Sequence, residues 1–412
     1  MAPKLLNVGL YVDENLNFGV CRDENIPTPG NGELLIETLY SGANPADIRH
    51  STHLGIYPTR LGYDFFGKVI VAPPESTFHV GDSVAGYTPT GIGRPIKYGT
   101  HQSYLVCPEK MACSVPDNLP PEHAACLKVV AMTAADALYN LFMFPLPDKS
   151  TQGVSGSNTA KPLLIWGAST SVGICAIQFA KASGIFPILV TASPERHALL
   201  SELGATHCFD YKSPSVIEDI KTVLRNWDFD GVPYGFDAVG SPSGVLSAHL
   251  VASCASQDAT LVSVVVQKDR RFLMPLAATN EDVTLRIPGV PHPITIPARK
   301  EDDQRALTAL QWAIENYGSR FRLVSVNVFK GRAEDALEEL KALADKGRRF
   351  GNSISGVMSI RKEEKWKKVP LPLSHFRGFH ATRGKDQDLP RLDSLEVYEI
   401  KSLAASTPRY RT

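Results

Sequence analysis

The sequence Leu163-Leu-Ile-Trp-Gly-Ala-Ser-Thr-Ser-Val-Gly173 contains the pattern that decides the fold. Four apolar residues predict a buried strand, and the glycines at positions 167 and 173 enclose a turn that leads into a predicted helix over residues 172–183. Such a turn presents backbone N–H groups at a helix N-terminus, where the helix dipole favours a pyrophosphate. Gly167 allows a tight turn, and Gly173 allows the helix to pack closely on the sheet. The pattern therefore predicts dinucleotide binding, with an ordinary glycine turn as the alternative.

Downstream of this turn, apolar runs and amphipathic segments alternate in the order typical of parallel β-α-β units. The predicted strands are residues 163–166, 187–191, 207–209, 235–239 and 261–266. The predicted helices between them are residues 172–183, 194–203 and 216–225. We therefore expect a doubly wound parallel sheet with helices on both faces.

The N-terminal part of the chain is predicted to be rich in β-structure. Short apolar runs bounded by glycine and proline lie at residues 33–40, 67–72 and 81–87. A run without glycine or proline over residues 122–141 predicts a buried helix or a helix pair, at which the second domain begins. Helical spacing and a final strand predict a return to the first domain over residues 302–317, 333–343 and 357–360.

These patterns predict an α/β protein of two domains. The expected ranges are a β-rich catalytic domain over residues 1–125, a cofactor domain over 126–295, the returning segment over 296–360 and a tail over 361–412. Residues 145–162 are polar and cannot bury enough apolar area to order themselves, so they predict a solvated loop inserted in the cofactor domain. The tail has a basic run and prolines without periodicity, and it predicts a solvated segment, with disorder as one alternative.

The composition is that of an ordinary globular protein, with 43% hydrophobic and 21% charged residues in a chain of 412. Because 43 basic residues balance 43 acidic ones, nucleic acid and anionic membrane surfaces are not expected partners. The seven cysteines include no C-x-x-C pair and indicate reduced thiols. Asp13 and Glu14 precede any apolar stretch of signal-peptide length, and the apolar runs are strand-sized, so we expect a cytoplasmic protein without a membrane span.

The end of the second predicted strand indicates which dinucleotide binds. Enzymes that use NAD place an acidic residue there against the ribose 2′-hydroxyl, whereas this chain continues Thr191-Ala-Ser-Pro-Glu-Arg196. Ser193 can donate a hydrogen bond to a 2′-phosphate and Arg196 can pair with it, while Tyr211 and Lys212 are available to cover the adenosine. The pattern predicts NADPH, and the alternative is that Ser193 only caps the next helix.

Five motifs occur in order along the chain: Gly42-Ala-Asn-Pro-Ala-Asp-Ile-Arg49, Gly62-Tyr-Asp-Phe-Phe-Gly67, Gly81-Asp-Ser-Val84, Ala131-Met-Thr-Ala134 and the loop between Gly167 and Gly173. Together, over about residues 5–360, the chain resembles the medium-chain dehydrogenase/reductase superfamily. The resemblance implies a GroES-like β domain, a Rossmann domain inserted within it, and a nicotinamide held in the cleft between them.

The zinc-independent branch of that superfamily is the better likeness. Asn44-Pro45 and Gly62-Tyr63-Asp64 stand where zinc-dependent alcohol dehydrogenases carry cysteine and Gly-His-Glu, so no metal is expected. Within the branch, the polar insertion, the Gly-Ala-Ser-Thr loop and the Thr-Ala-Ser-Pro turn most resemble the trans-acting enoyl reductases of fungal polyketide synthesis, of the lovastatin type, and related toxin-cluster reductases. Arg49 departs from the lysine of lovastatin-type relatives, and Lys128 departs from the proline of many members.

This resemblance implies two sets of contacts. Cofactor contacts are expected from Ala46, Asp47, Ile48, Arg49, Ser169, Thr170, Ser171, Val172, Ser193, Pro194, Glu195, Arg196, Tyr211, Ser263, Val264, Ser355 and Gly356. An acyl pocket is expected from Thr133, Ala134, Ala135, Asp136, Ala137, Leu138, Tyr139 and Asn140.

The chemistry implied is hydride transfer from NADPH to the β-carbon of an α,β-unsaturated thioester, followed by protonation at the α-carbon. Protein groups then need to align the alkene and to stabilise negative charge on the thioester oxygen. The catalytic candidates are Arg49 and Thr133, supported by Asn44, Asp47 and Tyr63, whereas Asp64 is expected to be structural. The alternatives are that Arg49 is a surface or phosphate-pairing residue and that Thr133 only caps or packs its helix.

The function predicted is a trans-acting enoyl reductase of secondary metabolism that uses NADPH. Its partner would be a polyketide synthase or an enoyl group bound to an acyl carrier, and the protein would be a monomer or a homodimer. Two alternatives stay open at this point. One is a stand-alone quinone or enone oxidoreductase, and the other is a catalytically silent NADPH-binding partner protein.

Overall fold

The computed structural model describes residues 6–23, 25–147, 161–240, 246–346 and 355–360. All of them belong to one unit, residues 5–362, and the second unit, residues 1–4 and 363–412, lies outside the described residues. The predicted tail therefore lies outside them as well, together with residues 148–160 of the predicted polar loop.

The strands within these ranges are Asn7–Val12 (β1), Phe18–Asp23 (β2), Glu33–Ala43 (β3), Thr59–Arg60 (β4), Asp64–Val71 (β5), Ser83–Tyr87 (β6), Tyr104–Pro108 (β7), Ala112–Ser114 (β8), Leu163–Trp166 (β9), Ile188–Ala192 (β10), His207–Asp210 (β11), Val232–Asp237 (β12), Ala255–Ser263 (β13), Phe272–Leu273 (β14), Val283–Leu285 (β15), Ile294–Ile296 (β16), Val326–Gly331 (β17) and Ser355–Ile360 (β18). The α-helices are Ala46–Leu54 (α1), Pro121–Ala135 (α2), Ser171–Ala182 (α3), His197–Leu203 (α4), Val216–Arg225 (α5), Leu246–Cys254 (α6), Lys300–Glu315 (α7) and Ala333–Lys346 (α8).

Six parallel strands form the sheet of the Rossmann domain, in the order β11-β10-β9-β12-β13-β14. Side chains of β9 alternate between its faces, as they do in any strand. Leu163 and Ile165 join the core that also contains residues of α2 and α3, whereas Leu164 and Trp166 pack with residues of α5 and α6. Helices therefore cover both faces, and the predicted doubly wound parallel sheet is confirmed.

A second, mostly antiparallel sheet forms the GroES-like domain, in the order β17-β18-β3-β5-β6-β8, with β7 also pairing with β3. Strands β1, β2 and β4 form a smaller sheet beside it. The chain returns to this domain late, because β18 pairs with β3 after the whole Rossmann sheet has been formed. The predicted division into a GroES-like and a Rossmann part is confirmed, while the boundaries at residues 125, 295 and 360 stay predictions.

Helix α2 lies in the core between the two sheets. It begins with Pro121, and a π-helical turn, Asp136–Leu141, continues it. By length and composition the segment Pro121–Leu141 could span a membrane, but 83% of its most apolar window is buried inside the protein, as in a core helix. Its alanine-rich surface allows close approach on several sides, which explains why the sequence shows no single apolar face there.

Several elements differ from the prediction in ways that have physical reasons. Strand β12 begins at Val232 rather than at residue 235, and it includes Pro233, a residue type that is uncommon inside strands. Strand β13 begins at Ala255 rather than at residue 261, and its first half exposes Gln257 and Asp258, so no apolar run marks it. Helix α6 was not predicted at all.

A buried ion pair fixes the segment before α7 to the end of α2. The Asp136 side chain is fully buried, and its carboxylate accepts hydrogen bonds from Arg299 Nη2 at 3.0 and 3.2 Å and from Leu276 N at 2.9 Å. Asn140 Nδ2 donates to the same carboxylate at 2.8 Å. Asp136 anchors this segment, and its predicted place in an acyl pocket stays a prediction.

Replacing Arg299 by glutamine should destabilise the fold by about 3 kcal/mol, because it leaves the buried Asp136 carboxylate without its cation. Urea unfolding measures the loss of unfolding free energy, and the dependence of this free energy on urea concentration should stay unchanged. The matched control is Arg225→Gln, which removes an exposed pair with Glu218 and should leave the unfolding midpoint nearly unchanged. Equal small effects of the two substitutions would show that the Asp136–Arg299 pair does not anchor the segment.

Candidate functional site

The loop between β9 and α3 has the geometry of a dinucleotide cradle. Gly167 has a φ of +78°, and a Cβ there would lie 2.1 Å from Val239 Cγ2. A Cβ on Gly173 would lie 2.7 Å from Ala168 Cα and 2.8 Å from Gly167 O, both backbone atoms. Glycine is therefore required at both ends of the loop, for the turn after β9 and for the close packing of α3 against that turn.

Thr170 is the N-cap residue of α3. Its Oγ1 accepts a hydrogen bond from Gly173 N at 3.0 Å and donates one to Ala238 O at 3.2 Å. This fixes the loop to the end of β12 and directs the positive end of the α3 dipole toward the cradle. Of the four predicted phosphate-loop residues, Thr170 thus shapes the loop, and Ser169, Ser171 and Val172 lie beside it, partly buried.

The residues after β10 present positive charge. Ser193 is half-buried and begins a short 3₁₀ turn, Pro194–Arg196, without any capping hydrogen bond from its side chain. Nε of Arg196 is buried and has no hydrogen-bond partner. Because a buried donor without a partner is costly, this atom fits a site that an anion completes. The alternative of a helix-capping Ser193 has no support in the geometry.

Tyr211 follows β11 on the same side of the sheet, where parallel strands all end. Its ring is 43% exposed, which makes it available for stacking, and Lys212 Nζ lies 5.6 Å from the ring centroid. Glu195 is exposed. The structure thus places Ser193, Arg196, Tyr211 and Lys212 on the ends of two adjacent strands, as the prediction of a 2′-phosphate site requires.

Arg49 joins three parts of the chain. Its Nη1 donates to Gly240 O at 3.0 Å, and its Nε and Nη2 donate to Ala344 O at 3.1 and 2.6 Å. Gly240 follows β12 beside the cradle, and Ala344 lies in the last turn of α8. Burial lowers the pKa of the guanidinium. Arg49 is thus neither a surface residue nor free toward the cleft, and its catalytic role stays a prediction.

Thr133 and the residues after it belong to the core. Thr133 Oγ1 donates to Val129 O one turn earlier, at 2.8 Å. This bond agrees with the alternative in which Thr133 only packs in its helix. Tyr139 is fully buried, and its hydroxyl lies 3.3 Å from Phe179 O. Ala134, Ala135, Ala137 and Leu138 belong to the same core, and Asn140 binds Asp136. That this segment forms an acyl pocket stays a prediction.

A buried polar cluster supports the start of α1. Asp47 Oδ2 accepts a hydrogen bond from Asn44 N at 2.7 Å and lies 3.0 Å from His101 Nε2. Asn44 Nδ2 donates to Asp64 Oδ2 at 3.2 Å, and Val129 N donates to Asp64 Oδ1 at 2.9 Å. Burial raises the pKa of Asp64 to about 8. Asp64 therefore ties α1 and α2 to β5, as expected of a structural residue.

The remaining predicted residues lie at the ends of β13 and β18 and in α1. Ser263 Oγ donates to Asp237 Oδ2 at 2.8 Å and accepts from Gln267 Nε2 at 3.0 Å, which fixes the end of β13. Val264 follows it and is half-buried, Ala46 is half-buried at the start of α1, and Ile48 packs in the core of the GroES-like domain. In β18, Ser355 pairs with Val326 and Gly356 pairs with Ala43, close to α1.

Sequence reasoning missed two residues of this region, His50 and Arg94. His50 Nδ1 lies 2.9 Å from the Tyr63 hydroxyl, and the Arg94 guanidinium carbon lies 4.4 Å from the centre of the Tyr63 ring. Neither residue has a spacing or motif that could have indicated it. Among the described residues, no three His, Cys, Asp or Glu side chains form a group that could hold a metal ion.

Comparison with known proteins identifies the family. Residues 30–117 match the alcohol dehydrogenase GroES-like domain, and residues 171–284 match the zinc-binding dehydrogenase family. A trans-enoyl reductase of Aspergillus sclerotiorum is 31% identical over 259 residues, which cover 58% of this chain and 72% of that protein. The chain belongs to the medium-chain dehydrogenase/reductase superfamily. The predicted superfamily is therefore confirmed.

Two further proteins are similar to the chain. A trans-enoyl reductase of Aspergillus japonicus is 36% identical over 214 residues, which cover 51% of this chain and 59% of that protein, so the match spans less than two thirds of this relative. The crystal structure of a quinone oxidoreductase of Pseudomonas syringae has a TM-score of 0.60 at 19% identity and covers 86% of this chain and 99% of that one. The second likeness shows the shared fold.

Gly173→Ala should weaken binding of a nicotinamide dinucleotide at least about tenfold, because the added Cβ pushes the backbone of the cradle apart. Titration of tryptophan fluorescence measures the affinity, since Trp166 directly precedes the loop. Gly184→Ala is the control, because Gly184 has a positive φ and open space, so its substitution strains the chain away from the cradle. Unchanged affinity in Gly173→Ala would contradict the assignment of the cradle.

Proposed function

We propose that the chain is an NADPH-dependent, trans-acting enoyl reductase that reduces the α,β-double bond of an enoyl thioester in polyketide synthesis. The observation that carries the proposal is the glycine cradle at the N-terminus of α3, in a chain that matches two trans-enoyl reductases. Quinone reduction by a stand-alone enzyme and binding without turnover become outcomes of the test.

The preference for NADPH is supported by the charges at the end of β10. The strand ends at Ala192, so no carboxylate stands there to repel a 2′-phosphate. Arg196 supplies a buried donor without a partner, and Lys212 adds a second cation nearby. Together these residues would hold the phosphate that distinguishes NADPH from NADH.

When bound, NADPH supplies the hydride. The residues of this chain then have to hold the alkene in a dry cleft and to place donors at the thioester oxygen. Asn44 before α1 and Thr133 in α2 carry side-chain donors, which in the structure bind Asp64 Oδ2 and Val129 O, and Arg49 carries the positive charge. Because Arg49 already binds Ala344 O and Gly240 O, we expect it to position α1 against the Rossmann domain and to reach a ligand only after exchanging one of these bonds.

The partner and the location follow from the same proposal. A trans-acting reductase receives its substrate from another protein, so we propose a polyketide synthase or its acyl carrier as the partner. We also propose a cytoplasmic location and a metal-free reaction. We propose that the protein acts as a monomer or a homodimer.

Purified, chelator-treated protein should oxidise NADPH with an enoyl thioester such as crotonyl-CoA, measured by the loss of NADPH absorbance. NADH and a small quinone are the comparison reagents, and slow or absent turnover of NADH is expected. Turnover of the quinone alone would favour the stand-alone oxidoreductase, and binding of NADPH without turnover of either substrate would favour the silent partner. Loss of activity on chelation would contradict the metal-free reaction.

Arg196→Leu should lower the preference for NADPH over NADH, expressed as the ratio of kcat/KM values, about tenfold or more. The reason is the loss of a charge-assisted hydrogen bond to the 2′-phosphate, while binding of NADH should change little. Arg225→Leu removes an arginine from an exposed surface of α5 and serves as the control. An unchanged ratio in Arg196→Leu would place the 2′-phosphate elsewhere.

A further inference from the structure

A cluster of buried polar atoms without partners surrounds Tyr63. Among the described residues, Asp47 Oδ1, Thr90 Oγ1, Arg94 Nε, Arg94 Nη1 and Thr100 Oγ1 are buried and make no hydrogen bond. Each such atom costs about 1–3 kcal/mol when it is left unpaired. Five such atoms in one region lower the stability of the fold. Their presence therefore points to a chemical role for this region.

Tyr63 is the centre of this cluster. Its side chain is 6% exposed, and its hydroxyl lies 2.9 Å from His50 Nδ1. The His50 ring stands edge-on to the Tyr63 ring at 5.1 Å between centroids. Burial raises the pKa of Tyr63, so the phenol is protonated in the resting protein. Burial lowers the pKa of His50 to about 4, so its ring is neutral at neutral pH.

Arg94 is held firmly, and the charge of the buried Asp47 carboxylate acts on it from nearby. Its Nη2 donates to Gly62 O at 2.6 Å, Thr88 Oγ1 at 2.7 Å and Tyr98 O at 2.8 Å. Its other two nitrogens have no partner, and its guanidinium carbon lies 4.4 Å from the Tyr63 ring centre. A fixed, buried positive charge of this kind stabilises negative charge that appears beside it, which here means a phenolate on Tyr63.

The family resemblance implies that the cluster lies next to the cofactor cleft. His50 directly follows Arg49, whose guanidinium binds Gly240 O beside the glycine cradle. On the other side, Tyr63 directly precedes Asp64, which binds Asn44. By the resemblance, Tyr63 also stands where zinc-dependent alcohol dehydrogenases carry the histidine of Gly-His-Glu, a ligand of their metal. His50 is itself partly exposed, which gives the pair a connection to solvent.

We infer that Tyr63 is the catalytic proton donor to the α-carbon, with His50 as its proton source and Arg94 as the residue that stabilises its anion. The inference rests on the proposed enoyl reduction. After hydride has reached the β-carbon, the substrate is an enolate. Its α-carbon takes the proton of the Tyr63 O–H bond, and the electron pair of that bond stays on oxygen. His50 Nδ1–H then returns a proton to the phenolate, while Nε2 takes one from water.

Reduction of an α-methyl enoyl thioester in deuterated water tests the step. Wild-type protein should give one configuration at the α-carbon. Tyr63→Phe should turn over about a hundredfold more slowly and give mixed configurations, because solvent then protonates the enolate from both faces. Its affinity for NADPH should stay within about twofold. Tyr234→Phe, in which the changed ring packs against Phe142 and Phe144, is the control and should behave as wild type.

The outcomes separate the two proposals. If Tyr63→Phe keeps the wild-type rate and a single configuration, the role of Tyr63 is wrong and the enoyl reductase stands. If wild-type protein reduces no enoyl thioester, the proposed function is wrong, and the role of Tyr63 fails with it.

A second measurement, made on wild-type protein without cofactor or turnover, tests the protonation of His50. It can be made even if Tyr63→Phe does not fold. Nitrogen-15 NMR of histidine-labelled wild-type protein reports which nitrogen of His50 carries the proton. We expect Nδ1–H, because His50 must donate to Tyr63 and leave the phenol proton free for substrate. A proton on Nε2 would mean that Tyr63 donates to His50, and this would overturn the proposal.

Discussion

The burial of α2 between the two sheets is the constraint on which the rest of the structure depends. One side of the helix packs on the GroES-like strands, where Asp64 Oδ1 accepts a hydrogen bond from Val129 N, and another side packs on α3 below the glycine cradle. At its end, Asp136 holds Arg299 and thereby the segment before α7. A helix that packs on strands of the GroES-like domain and on α3 of the Rossmann domain therefore holds the two domains together.

The fold was predictable where a local pattern determines it. The Rossmann sheet followed from the alternation of apolar runs and amphipathic segments, and β9 and α5 agree with their predicted bounds. Strands with irregular patterns were harder. The edge strand β2 buries none of its residues fully, and the first half of β13 exposes polar side chains, so neither has the apolar run by which strands are detected. Pairing of β18 with β3 joins positions more than three hundred residues apart and leaves no trace in local sequence.

The site divides in the same way. Gly167, Gly173 and Ser193 could be predicted because the turn chemistry that needs them is local. The contacts of Arg49 could not, since its acceptors are separated from it by 191 and 295 positions. Thr133 and Tyr139 came from resemblance to relatives, and in this chain their hydroxyls bind backbone carbonyls within the core. Tyr63 was predicted as a supporting residue, but its partners His50 and Arg94 were missed, because contacts with a buried side chain cannot be recognised from the sequence.

In the proposed function, the chain binds NADPH at the glycine cradle, and the bound NADPH transfers a hydride to a carbon–carbon double bond. The most direct test uses NADPH that carries deuterium at the reactive C4 position, with crotonyl-CoA as acceptor and mass spectrometry of the product. The account predicts one deuterium at the β-carbon of the butyryl product and a solvent proton at the α-carbon. Binding of the labelled NADPH without transfer of deuterium to the product would contradict the proposed function.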